Sequence, residues 1–111
     1  MEYLMHLNEK PFFMIKSGKK DIEMRLFDEK RQKIKVGDTI EFSNRETGQM
    51  IKTEVVNIHT FENFEKLYSS FDKTRLGYYE DEEAKPEDMA QYYSVPEINK
   101  FGVVGIEIKL V

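Results

Sequence analysis

Apolar and polar positions alternate most strictly over residues 21–26, and the pattern predicts a β-strand with Asp21, Glu23 and Arg25 on one face and Ile22, Met24 and Leu26 on the other. The apolar face can pack into a core, which leaves a charged face on a rigid element. Upstream, Tyr3, Met5 and Leu7 alternate with Leu4 and His6 as a short, well-buried first strand. Asn8 then caps a helix through Pro11, Phe12, Ile15 and Lys16 that stops at Gly18, where a left-handed residue is needed. Val36-Gly37-Asp38 turns the chain into a strand over 39–44, Arg45-Glu46-Thr47-Gly48 forms a hairpin turn, and residues 51–61 alternate irregularly through Val55, Val56 and Ile58. Phe61, Phe64, Leu67, Tyr68 and Phe71 fall at helical spacing and read as an amphipathic helix laid on the sheet. A polar connection over 72–84 holds a short turn near 74–77, and a helix carrying Met89, Tyr92 and Tyr93 follows Pro86. The capping-box spacing of Ser94 and Glu97 opens a last helix through Ile98 to Phe101, and residues 103–110 alternate as a closing strand. The segment 27–34 carries no readable pattern. These elements predict an α+β domain, mainly β: a small closed or nearly closed barrel of five or six strands with two or three helices. An open α+β sheet is the competing architecture.

Composition agrees with a folded domain and narrows its chemistry. The 111 residues suffice for one hydrophobic core and are too few for two, and 40% apolar residues is an ordinary globular share. A membrane span needs about 18 consecutive apolar residues. No run approaches that, and the opening residues lack the pattern of a secretory signal, so the expected location is the cytoplasm. With no cysteine, disulfides, thiolate metal sites and cysteine nucleophiles are excluded. His6 and His59 are the only histidines, each is expected to be structural, and neither a metal nor a cofactor is implied.

The net charge of −4 argues against a broadly basic nucleic-acid coat, yet the charge is segregated. Residues 16–35 hold eight cations against four carboxylates, whereas residues 80–88 hold six carboxylates against one lysine. Within the basic block Glu23 and Arg25 stand about 6–7 Å apart along the strand, with Lys20 entering from the turn beside them. A nucleotide cleft needs cations for phosphate or carbonyl oxygens, a carboxylate for base nitrogens and a planar group for stacking. Lys20 and Arg25 suit the first need, Glu23 the second, and Tyr92 or Tyr93 the third, while Asp28, Lys30 and Arg31 extend the rim. The competing account is an ion pair between Glu23 and Arg25 on a sheet face, with both tyrosines in the core.

The pattern Gly18-x-Lys20-x-x-Glu23-x-Arg25, followed by Asp28-Glu29-Lys30-Arg31, Val36-Gly37-Asp38-x-Ile40-x-Phe42, Tyr92-Tyr93-Ser94 and residues 101–107, resembles the ASCH family of the PUA-like superfamily. The resemblance covers almost the whole chain. It implies a six-stranded barrel with a cleft at one end lined by Lys20, Glu23 and Arg25, and an RNA or a nucleoside or nucleotide as ligand. One bacterial branch of the family consists of amidohydrolases acting on N4-acetylcytidine through a lysine, a threonine and a glutamate. Lys20 matches that lysine, Glu23 occupies the threonine position, and Glu87 and Glu97 both lie in the region of the glutamate. Catalytic roles for Lys20 and Glu23, in amide hydrolysis or RNA cleavage, therefore stand as the alternative to binding. A third reading makes the acidic run at 80–88 a regulatory protein-interaction surface. The expected state is a monomer with no membrane partner.

Overall fold

The computed structural model describes residues 1–111. Five strands form one sheet in the order β1-β3-β4-β5-β2, with β1 Glu2–Leu7, β2 Ile22–Leu26, β3 Thr39–Asn44, β4 Met50–Phe61 and β5 Val103–Leu110. β1 pairs in parallel with β3, and every other pairing is antiparallel. The sheet curls into an open half-barrel. Its two edges, β1 and β2, form no backbone ladder with each other, and a side chain bridges them: Arg25 Nη2 donates to the His6 carbonyl at 3.3 Å.

Opposed residues of an antiparallel pair share a face, so register decides where each side of β2 points. Glu23 lies opposite Ile106 and Arg25 opposite Val104, both of which belong to the barrel's inner core with Phe12, Ile40, Phe42 and Val55. Ile22 belongs instead to a second core on the other side, with Val103, Phe64, Leu67, Leu76 and Met89. The two faces are thus used in the opposite sense from the simplest reading of the alternation. The apolar face supports the helices, and the charged face looks into the barrel.

Local sequence explains most boundaries. Helix α1, Glu9–Lys16, buries Phe12, Met14 and Ile15 and stops before Gly18, whose φ is 83°. Asn8 occupies the cap position, although its side chain makes no capping bond. The irregular alternation of β4 reflects a bulge between Val55 and Asn57, where an extra residue breaks the two-residue period. β1 is buried on one side only: Met5 and Leu7 are buried, but Leu4 is exposed, as suits an edge strand rather than the well-buried one expected.

The aromatic run starts later as a helix than its spacing suggests. Phe61 ends β4, and α2 covers Phe64–Ser70 behind the Asn63 side chain, which accepts from the Lys66 amide at 2.9 Å. α3, Lys73–Leu76, is the short turn expected near residue 74. Pro86–Gln91 is 3-10 rather than α-helical, and it releases Tyr92 and Tyr93 into the following loop. α4, Val95–Phe101, opens on the expected Ser94–Glu97 capping box. The unpatterned segment after β2 contains a 3-10 turn at Arg31–Lys33.

Candidate functional site

Lys20, Glu23 and Arg25 converge at the mouth of the half-barrel. Glu23 is 4% exposed and sits between the two cations, with Oε1 3.3 Å from Lys20 Nζ and Oε2 accepting from Arg25 Nε at 2.7 Å. Lys20, also 4% exposed, further donates to the carbonyls of Ile22 at 2.6 Å and Leu76 at 3.0 Å. All three ammonium protons therefore have an oxygen to meet. Burial acts to raise the Glu23 pKa, but Arg25 and Lys20 outweigh it and hold the carboxyl below its ordinary value. Burial wins at Lys20, whose pKa is lowered despite Glu23. At Arg25 burial opposes the charge, while Glu23 and the Tyr93 phenol favour it and leave the pKa raised.

This cluster floors a cavity of about 630 Å³. The segment from Leu76 to Tyr93 provides one wall, and α1 and the end of β1 provide the other through Pro11, Lys10 and His6. A polar relay stiffens the first wall: Tyr78 donates to Asp88 Oδ2 at 2.8 Å, and the Tyr68 and Tyr78 hydroxyls lie 2.8 Å apart. Since Tyr78 spends its only proton on Asp88, Tyr68 donates to Tyr78. Burial first, then these hydrogen bonds, push the Tyr78 pKa far up, so the phenol stays neutral. Tyr93 stacks on Phe64 with ring centroids 6.1 Å apart, whereas Tyr92 is 56% exposed at the cavity wall. Lys10 lies over the Tyr79 ring and pairs with Glu82, tying α1 to the far side of the opening.

The ASCH domain family matches the chain over residues 5–111. The chain belongs to that family. The crystal structure of the hypothetical protein PH0355 resembles this ASCH domain with a TM-score of 0.84 at 34% identity, each chain covering the whole of the other. The solution NMR structure of protein PF0455 from Pyrococcus furiosus gives a TM-score of 0.78 at 33% identity over all of this chain and 98% of that one. No curated protein matches.

In this ASCH domain the sequence-predicted residues divide between two hollows. Lys20, Glu23, Arg25, Tyr92 and Tyr93 line the main cavity. Lys30 and Arg31 do not reach it; they line a smaller hollow of about 220 Å³ behind Arg25. Asp28 lines neither, and its carboxylate instead holds Arg31 Nη1 at 2.7 Å. Glu87 and Glu97 also stay outside both: Glu97 closes the cap of α4, and Glu87 is exposed in the 3-10 turn. The acidic run is split, with Glu82 and Asp88 turned to the cavity and Glu80, Asp81, Glu83 and Glu87 exposed.

His59 is structural as expected, its ring nitrogen 2.9 Å from Glu107 across the β4–β5 ladder. His6 departs from expectation, because its exposed side chain lines both hollows. Tyr68, Tyr78, Asp88 and Arg45 also line the cavity, and no motif in the sequence marks them: Tyr68 lies in an apolar helical stripe, Asp88 in an acidic run and Arg45 in a plain hairpin turn. No helix is long and apolar enough to cross a membrane, and no cluster of side chains is arranged to hold a metal ion.

Proposed function

We propose that this ASCH domain binds RNA or a modified nucleoside by taking a base into the main cavity. The observation that carries the reading is a buried, ionised carboxylate, Glu23, fixed between two cations at the floor of a cavity that also presents tyrosines. Its volume lies within the ~300–1,000 Å³ typical of small-molecule sites. Glu23 lines the cavity and has carboxylate lone pairs beyond those engaged by Lys20 and Arg25 with which to accept from ring or exocyclic nitrogens, and Tyr92 offers a face on which a base can stack. The Arg25 guanidinium, which already meets Glu23 and the His6 carbonyl and has the Tyr93 phenol beside it, faces the cavity, where it can meet a carbonyl or phosphate oxygen. Binding is favoured over hydrolysis by the environment of Lys20. A basic or nucleophilic amine needs a free lone pair, whereas this one directs its protons at three oxygens and holds Glu23 in place.

A thermal-shift panel of nucleosides, modified nucleosides including N4-acetylcytidine, nucleotides and RNA oligomers tests the proposal, because a ligand that binds only the folded state raises its melting temperature. A ligand in the panel is expected to stabilise the protein, and Tyr92→Ala is expected to weaken it by about 1–3 kcal/mol, the value of one base–aromatic stack. Absence of any shift across the panel overturns the reading. Formation of cytidine from acetylcytidine by the native protein but not by Lys20→Ala would replace binding with catalysis.

A further inference from the structure

The hollow behind Arg25 differs in chemistry from the main cavity. Arg25, Lys30, Arg31 and Arg45 line it, and no carboxylate does. In a chain of net charge −4 this concentration of cations runs against the overall balance. Two of the four charges are partly met, Arg25 by Glu23 and Arg31 by Asp28. Lys30 and Arg45 are exposed and enter no ion pair, and Arg31 Nε is buried without any hydrogen-bond partner in the protein. The free charge of the hollow is therefore that of Lys30 and Arg45, with the Arg31 guanidinium held beside them by Asp28.

The hollow also adjoins the cavity, since His6, Arg25 and Arg45 line both. It occupies the gap between the unpaired edges of β1 and β2, where Arg25 spans to the His6 carbonyl. Four cations against two partnering carboxylates, next to a site that accepts a base, suit an oxygen-rich anion attached to that base.

We propose that the second hollow is a phosphate subsite, so that the ligand is a phosphate-bearing nucleotide or a segment of an RNA strand rather than a free nucleoside. The proposal rests on the base-binding reading of the main cavity and specifies the ligand class. The phosphate is either a terminal monoester or the internal diester of a strand.

Isothermal titration of the native protein with the four common nucleosides, their 5′- and 3′-monophosphates and mixed-sequence RNA hexamers distinguishes these. The phosphate is expected to add at least tenfold to the affinity of the parent nucleoside. Lys30→Glu, a change at an exposed and unpaired position, is expected to reduce the ratio of monophosphate or hexamer affinity to nucleoside affinity by tenfold or more. Preference for a monophosphate assigns the terminal group, and binding of the hexamer alone assigns the diester. Losing the Lys30 charge should also make the salt dependence of hexamer binding shallower by about 0.7 in log–log slope, the single-strand value per neutralised phosphate. If nucleosides bind and a phosphate adds nothing, or if Lys30→Glu leaves the ratio unchanged, the subsite is overturned while the main cavity stands. If nothing in the panel binds, the phosphate subsite is overturned, and the base-binding reading is judged by the modified nucleosides of the thermal-shift panel.

Discussion

Gly77 leaves room for Lys20: a Cβ placed on it would lie 3.1 Å from Lys20 Cδ, and its φ of 108° is one that side chains rarely adopt. The end of α3 and the floor of the cavity are therefore set by the same residue. Gly77→Ala is expected to destabilise the fold by about 1–3 kcal/mol through backbone strain and to push Lys20 off the Leu76 carbonyl. Urea denaturation measures the first effect. A loss of ligand affinity larger than a surface glycine change elsewhere would report the second.

The buried cluster makes stability depend on pH in two windows. Glu23 has a folded pKa below its ordinary 4.5, so its contribution is complete above that value and is lost as pH falls through the folded pKa. Lys20 has a folded pKa below its ordinary 10.5, so the unfolded chain binds the extra proton between the two values and stability rises with pH there. Urea midpoints of the native protein should fall in acid more steeply than those of Glu23→Gln. The same variant should be less stable at neutral pH by about 3–5 kcal/mol, because it leaves two buried cations without their carboxylate. Lys20→Met should flatten the alkaline limb.

The half-barrel was legible wherever one residue type dictates local structure. Gly18, the Ser94–Glu97 box and the alternation of β2 each mark an element by local chemistry alone, and the motif lysine, glutamate and arginine meet in the fold. What could not be read was the side of the sheet to which each face of β2 turns. That depends on pairing with Val104 and Ile106, which alternation within one strand does not contain. The second wall was hidden for a similar reason. Tyr78 and Asp88 are ten residues apart and meet through the fold of the segment between them, with Asp88 in the 3-10 turn after Pro86. The separation of Lys30 and Arg31 into their own hollow likewise follows from the turn at Arg31–Lys33, in a segment with no periodicity.

Tyr78→Phe removes one donor to Asp88 and one acceptor for Tyr68 while keeping the ring. With both partners half-buried or exposed and able to turn to water, the expected cost is about 1–2 kcal/mol. The sharper readout is local. Amide hydrogen exchange should accelerate over residues 78–93 and stay unchanged in the β4–β5 ladder, because the relay holds the wall rather than the sheet. Uniform acceleration would mean that the relay supports the whole fold.

Arg25 joins three parts of the molecule at once, taking the Glu23 carboxylate with Nε and the His6 carbonyl with Nη2 while its outer edge faces both hollows. Arg25→Lys keeps the charge and removes the fork, since one ammonium on a flexible stem does not reach both oxygens in the same geometry. Glu23 should therefore remain ionised and the acid limb of the stability curve should be kept. The β1–β2 bridge should be lost, at a cost of about 1–2 kcal/mol, with faster exchange confined to the β1 amides. Ligand affinity should fall more than stability does, because the same guanidinium serves the cavity and the phosphate hollow. Affinity unchanged in Arg25→Lys would show that charge alone acts there and that the planar fork has no part in recognition.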